Sequence, residues 1–298
     1  MQKRILCCLL CLAVLVSAPL CGMAGGGATY EIFVGSFYDS NGDGLGDLTG
    51  VTQQLDYVAA LGAGAIWLMP ISPSPTYHKY DVTDYLNVDA GYGTLADFDA
   101  LTSAAKEKGI DIILDLVVNH TSSEHPWFTS ACQSIATADC GAEGACTNPA
   151  LCRRHNPYCD YYHFTQEKSD GYAAVPGAEG WYYECRFWSG MPDLNLDSAA
   201  VRGELESVMA FWLAHGASGF RLDAVTSYYT GSPKSNVAFT AWLVDAAKQI
   251  DPGCTFVGEV WTDAETLLSY YPSGIGTLFD FPLAQQDGAI ATAVKNAA

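Results

Sequence analysis

The sequence predicts an α/β protein built on a parallel β/α barrel that is interrupted by a cysteine-rich insertion after its third strand. Three observations carry this. Short β-rich runs alternate with stretches of helical period, the order expected of a parallel sheet. Polar residues gather at the ends of the β-rich runs, at Asn119 and His120, at Arg221 and Asp223, and at Glu259, which is where a barrel assembles its site. No Gly-x-Gly-x-x-Gly turn follows the first run, so the doubly wound dinucleotide fold loses its main support.

Taken in order, strands are expected over 30–36, 65–70, 110–118, 219–223, 255–260 and 277–281. Val51, Leu55, Val58 and Leu61 recur at helical spacing before Gly62, and Leu95, Phe98, Leu101 and Ala105 do so before Gly109. These glycines read as helix stops. The pattern returns in Val201, Leu205, Val208 and Trp212, then in Phe239, Trp242, Ala246 and Ile250. Residues 283–298 suit a sixth helix. The expected layout is barrel strands 1–3 in 29–120, an inserted subdomain in 121–190, and barrel strands 4–6 in 191–298. A TIM-type (β/α)8 barrel needs two further strands to close. The chain is therefore expected to be an N-terminal fragment of a longer protein, truncated after about six β/α units, with strands 7–8 and a C-terminal domain absent.

Composition limits the partners. Of 298 residues 49% are hydrophobic and 16% charged, which suits a large packed core. A formal net charge of −19 excludes nucleic acid as a natural partner and leaves a neutral ligand compatible. Lys3 and Arg4 precede the apolar run from Ile5 to Val16, and Gly22-Met23-Ala24 offers small residues for cleavage. Residues 1–24 thus read as a signal peptide, and the protein as secreted or extracytoplasmic. A lipoprotein anchored through Cys21 is the competing reading, weakened by bulky Leu20 before it. Apart from such an anchor no membrane contact is expected.

Eleven cysteines divide unevenly. Four lie in the leader, Cys254 stands alone, and Cys132, Cys140, Cys146, Cys152, Cys159 and Cys185 crowd into the insertion. In an exported chain six such residues read as a disulfide framework whose pairing sequence does not settle. Structural zinc is the rival; the absence of C-x-x-C clustering favours disulfides.

Asp223 and Glu259, ending successive strands, have the layout of a glycosidase's catalytic pair. Four segments extend that reading: Asp115 to His120, Met191-Pro192-Asp193-Leu194-Asn195, Gly219 to Ala224, and Gly258-Glu259-Val260-Trp261. In this order they resemble the signature motifs of the α-amylase family of glycoside hydrolases (family 13), over nearly all of 29–298. The resemblance implies a barrel with a subdomain after strand three, acting with retention on α-glucosidic bonds of starch-like glucans or maltooligosaccharides. By the same resemblance Asp223 is the nucleophile, Glu259 the general acid/base, and His78, Tyr80, His120 and Arg221 contact the substrate. Independently, Arg221 lies on the same strand face as Asp223 and would keep it ionised, while apolar surroundings that include Trp261 would raise Glu259. Lys79 stands where many relatives have glycine.

The MPDLN version of the second motif resembles enzymes between oligosaccharide glucosidases and neopullulanases, which leaves amylase, neopullulanase, glucosidase and transglycosylase activities open. A different class, a non-catalytic barrel, predicts a lost nucleophile or acid, and both are present. The family's last His-Asp motif is not found after Glu259.

Asp39, Asn41, Asp43, the Leu45 carbonyl and Asp47 carry oxygen donors at the spacing of a calcium-binding loop, without the glutamate that closes an EF-hand. Structural Ca2+ is expected there, helped by similar loops in the family. A second ion at Asn119 is a weaker expectation, because Thr226-Ser227 replaces the family's usual Lys-His.

Overall fold

The computed structural model describes residues 27–137, 140 and 146–297, so the leader and Cys21 lie outside the described residues. Six parallel strands form one sheet: β1 (Ala28–Ile32), β2 (Ala63–Leu68), β3 (Asp111–Leu116), β7 (Gly219–Leu222), β8 (Thr255–Gly258) and β9 (Thr277–Leu278). They neighbour one another in chain order, curled as part of a barrel. Between β3 and β7 stand β4 (Phe164–Thr165), β5 (Tyr172–Ala174) and β6 (Tyr182–Glu184), an antiparallel sheet in the order β4-β6-β5. Among the described residues no helix is long and apolar enough to cross a membrane.

Strand faces sort the residues by parity, because successive side chains point to opposite sides. Ile66 and Leu68 of β2, Ile112 and Leu114 of β3, and Phe220 and Leu222 of β7 join the large core that the strands share with the helices. Trp67, Ile113 and Val257 form a smaller apolar cluster with Met69 and Phe279 on the other face, inside the curl. Arg221 pairs in register with Asp115 on one side and Val257 on the other, so it belongs to this inner face.

The helices end where glycines permit. Gly62 and Gly109 take φ of +79° and +68°, left-handed values that favour glycine at a helix C-terminus. Helix 95–107 begins with a reciprocal cap, Thr94 accepting from the Asp97 amide while the Asp97 carboxylate accepts from Thr94. This fixes the start of the helix that leads to β3.

The expected strands begin and end in slightly different places. β1 stops at Ile32 because Val34–Phe37 makes a helical turn, with the Ser36 amide donating to Phe33 at 3.1 Å. β3 stops at Leu116 because the chain leaves the sheet to pair with the strand that returns from the insertion. The Leu194 amide donates to the Asn119 carbonyl at 2.9 Å, and the Thr121 amide to the Pro192 carbonyl at 3.1 Å. The segment at Met191 to Asn195 therefore closes the neck of the insertion. The single expected sixth helix is instead two, Phe281–Ala284 and Ala289–Ala297. At Gly288 between them a Cβ would stand 2.7 Å from the Leu283 carbonyl oxygen, so only glycine fits.

Within the insertion, helix 126–136 packs its Phe128 against Tyr162 and Tyr183 at ring separations of 5.1 and 4.7 Å. Edge-to-face aromatic packing of this kind lets a short segment build its own core. The structure does not show the disulfide framework expected here. Cys132, Cys185 and Cys254 are individually buried. Cys140, Cys146 and Cys152 gather instead around His155.

Candidate active site

Arg221 organises the C-terminal mouth of the sheet. Its Nη1 donates to both oxygens of Asp115, at 2.9 and 3.1 Å, and to Asp223 Oδ1 at 2.6 Å. Its Nη2 lies 2.9 Å from Glu259 Oε2. One guanidinium thereby ties carboxyls from the ends of β3, β7 and β8. The register explains this, since Asp115 and Arg221 are direct neighbours and Asp223 follows Arg221 by two positions on the same face. Trp67, Tyr80 and Phe279 surround the guanidinium with rings 5.0–5.8 Å away. Their faces supply cation–π attraction and exclude water.

The carboxyls differ in setting. Burial raises the pKa of Asp223, while the Arg221 charge and hydrogen bonds from Arg221 and Glu259 pull it down. Burial also raises Glu259, opposed by Arg221 and reinforced by the negative charge of Asp223 and their shared hydrogen bond. The contact between the two thus favours charge on Asp223 and the proton on Glu259. Glu259 Oε2 additionally accepts from the Ala224 amide at 3.0 Å. Ala224 adopts φ +49°, a strained left-handed conformation directly after Asp223.

Asp115 is fully buried and pushed up to about 7, chiefly by burial. Besides Arg221 it accepts from Trp67 Nε1 at 3.2 Å and from the Tyr80 hydroxyl at 3.1 Å. The sequence reading assigned it no role. Period-two parity along β3, with Ile113 and Asp115 on the inner face, is the signal that would have placed it there.

A cavity of about 480 Å3 opens over this cluster, bounded by His78, Tyr80, His120, Arg221, Asp223 and Glu259, and also by Phe187, Met191 and Trp261. All six residues named from sequence as catalytic or substrate-contacting are therefore brought together. Phe187, from the far end of the insertion, and Met191, at its neck, were not anticipated as lining residues. His120 is buried with Nε2 unpartnered, and burial lowers its pKa to about 4, so near neutral pH it is an uncharged imidazole. His78 Nδ1 lies 3.1 Å from the Tyr80 amide and 3.2 Å from the Thr76 hydroxyl, which orients its ring. Trp261 differs from expectation. It is 63% exposed and stacks on Phe281 at 4.7 Å, so it forms the rim of the cavity rather than an apolar wall behind Glu259.

Lys79 lies between His78 and Tyr80 with φ +62°, yet its side chain turns away from the cavity. Nζ reaches Asp89 at 2.6 Å and lies over the Tyr92 ring at 4.8 Å.

The Asp39–Asp47 loop is separate from the cavity. Asp39 accepts from the amides of Gly42 at 2.6 Å and Gly44 at 2.8 Å, and these bonds lower its pKa. Asn41 and Asp43 accept from the Asp43 and Leu45 amides at 2.9 and 2.8 Å. Asp47 accepts from Ser40 and caps helix 48–53 through the Gly50 amide at 2.6 Å. The donors are all oxygen, as a hard cation requires, although no three carboxylates of the loop lie within ligand distance of one another. Asn119 is buried behind His120, its amide nitrogen 3.3 Å from Asp193 Oδ1. Asp193 is pushed up to about 7 by burial.

The profile of the alpha-amylase catalytic domain matches residues 31–294. Alpha-amylase 3 of Dictyoglomus thermophilum is 43% identical over 259 residues, covering 86% of this chain and 48% of that protein. Glucan 1,6-alpha-glucosidase of Streptococcus pneumoniae is 39% identical over 270 residues, covering 85% and 47%. The solved structure of Amy13B from Eubacterium rectale superposes with a TM-score of 0.85 at 45% identity, covering 93% of this chain and 52% of that one. The chain spans about half the length of the relatives it matches. With the inner-face cluster of Arg221, Asp223 and Glu259 at the mouth of a parallel sheet, these matches show that the chain belongs to the alpha-amylase family of glycoside hydrolases, within its catalytic domain.

Proposed function

We propose that the protein is a retaining glycoside hydrolase that cleaves α-glucosidic bonds in starch-like glucans or maltooligosaccharides. The observation that carries this is the pair Asp223 and Glu259, held on the two terminal nitrogens of one guanidinium at 2.6 and 2.9 Å. Sharing one guanidinium keeps the two carboxyls near each other, as the separation of about 5 Å used in retention requires. Asp223 attacks the anomeric carbon while Glu259 gives its proton to the departing glycosidic oxygen. Water then enters, Glu259 takes a proton from it, and the bond to Asp223 breaks with the second inversion. His120, neutral and bordering the cavity with a buried, unpartnered Nε2, would hydrogen-bond a sugar hydroxyl; Tyr80 and Trp261 offer aromatic faces to the C–H surface of the ring.

The test is Asp223→Asn. Turnover of maltooligosaccharides should fall by a factor of about 10^4 or more with melting temperature retained. Wild-type turnover in that variant would refute the assignment. The relatives named above include an alpha-amylase and a glucan 1,6-alpha-glucosidase, so linkage preference is read from products formed on starch, pullulan and isomaltose-type substrates.

Two further readings belong to this proposal. Asp39, Asn41, Asp43, Asp47 and the Leu45 carbonyl would hold a structural Ca2+, whose charge would draw the loop's acidic groups together beside β1; Asn119 is the weaker candidate for a second ion. The charged and apolar pattern of residues 1–24 supports export, tested by N-terminal sequencing of the mature protein.

A further inference from the structure

Three thiols and one imidazole converge in the insertion, away from the cavity just described. The ligand atoms of Cys140, Cys146, Cys152 and His155 all lie within 4.8 Å of one another. His155 Nδ1 is 3.5 Å from Cys140 Sγ and 3.3 Å from Cys152 Sγ. A tetrahedral zinc ion with usual bond lengths sets sulfur and nitrogen about 3.6 Å apart, and two sulfurs about 3.8 Å apart. The spacing is therefore that of a closed ligand set.

We propose that Cys140, Cys146, Cys152 and His155 form a structural zinc site in the insertion. A disulfide would use two of the three thiols and leave the third sulfur and the imidazole without a reason to converge. Four sulfur and nitrogen donors with no water position are the ligand type of a structural, non-catalytic zinc ion.

The backbone around the site is built to hold it. The Cys152 carbonyl accepts from the amides of His155 and Asn156 at 2.9 and 2.8 Å, which makes a tight turn of the four residues from Cys152 to His155. Asn156, buried, fastens that turn to helix 126–136 by donating to the Ser130 hydroxyl at 2.9 Å and the Ser134 hydroxyl at 2.8 Å, and to the Ala150 carbonyl at 3.0 Å. Two of the four ligands are thus positioned by one rigid turn. Zn2+ displaces one proton from each thiol, leaving a site of net charge −1 on a turn that carries Arg153 and Arg154. The ion would tie Cys140 and Cys146 to the turn, supporting the insertion whose far end supplies Phe187 to the cavity.

The experiment uses the untagged full chain, produced with added Zn2+ and dialysed against metal-free buffer. Elemental analysis should find about one zinc per chain, and Co2+ in its place should show thiolate-to-cobalt charge transfer with tetrahedral d–d bands. Cys152→Ser and His155→Ala should each weaken zinc binding at least about tenfold, whereas Cys254→Ser, at a distant strand end, should keep it. His155 is exposed, so its replacement reads out metal content even if Cys152→Ser fails to fold. The proposal is overturned if zinc content is unchanged in His155→Ala. It is equally overturned if the wild type holds no zinc and mass spectrometry finds two of the three thiols joined as a disulfide.

Discussion

Replacing Lys79 with glycine sets opposing effects against each other. The residue sits at φ +62°, where a side chain costs about 1–2 kcal/mol that glycine avoids. Glycine also gives the unfolded chain more freedom, which takes back about 0.5–1 kcal/mol. These two nearly cancel, so the side-chain contacts decide the outcome. Lys79 is 90% buried and Asp89 81% buried, from side-chain exposures of 10% and 19%, so the pair is more than a surface ion pair. Removing the lysine leaves Asp89 without its cation in a mostly dry setting, at a cost of about 2 kcal/mol after allowing for its residual exposure. Loss of the contact with Tyr92 adds about 0.5–1 kcal/mol. Lys79→Gly should therefore destabilise by about 2 kcal/mol and lower Tm by roughly 4–8 °C in thermal unfolding followed by circular dichroism. KM should rise as well, because His78 and Tyr80 flank the position. In the double variant Lys79→Gly with Asp89→Asn much of the loss should be recovered, since no uncompensated charge remains. A single glycine variant more stable than wild type would refute the reasoning, showing that backbone strain outweighs the ion pair.

The remaining predictions concern the site and its metal. Burial raises Glu259 above its ordinary value of about 4.5, so the proton it donates is lost, and the rate falls, as pH rises through that elevated pKa. In kcat/KM profiles on an activated aryl glucoside, whose leaving group needs no proton, Glu259→Gln should lack this alkaline limb; a limb of unchanged position would assign it to another group. His120→Gln should lower kcat/KM roughly 100-fold on maltooligosaccharides with little change in Tm, as expected for a lost transition-state hydrogen bond. A change in Tm alone would make His120 a packing residue. Added Ca2+ should raise the Tm of dialysed wild type and leave that of Asp39→Asn with Asp43→Asn unmoved. An equal shift in both would place the calcium elsewhere.

The strands and the six cavity residues were legible because periodicity and strand-end polarity act locally, and His120, Arg221, Asp223 and Glu259 all sit where a strand meets its loop. Asp115 was not, although its parity with Ile113 was visible, because an aspartate within an apolar run gains meaning only when Arg221 is known to be its register partner. Phe187 and Met191 come from the end of a long insertion, and nothing in their local pattern says that the neck at His120 and Asp193 folds them back over the sheet. The convergence of the cysteines on His155 was not legible for a related reason. Spacing along the chain showed no C-x-x-C cluster, while a single turn brings the Cys152 thiol beside the His155 imidazole instead.

The division of faces along β7 has a consequence for how this family can change. Phe220 and Leu222 pack toward the helices, whereas Arg221 lies on the inner face and Asp223 two positions beyond it. Point substitutions can therefore alter chemistry or stability one at a time, though the residues concerned are adjacent in the gene. Insertion or deletion of one codon inside the strand exchanges the two sets and loses both together. Length variation should accordingly collect in the loops beyond the strands, where substrate choice can shift without moving the nucleophile.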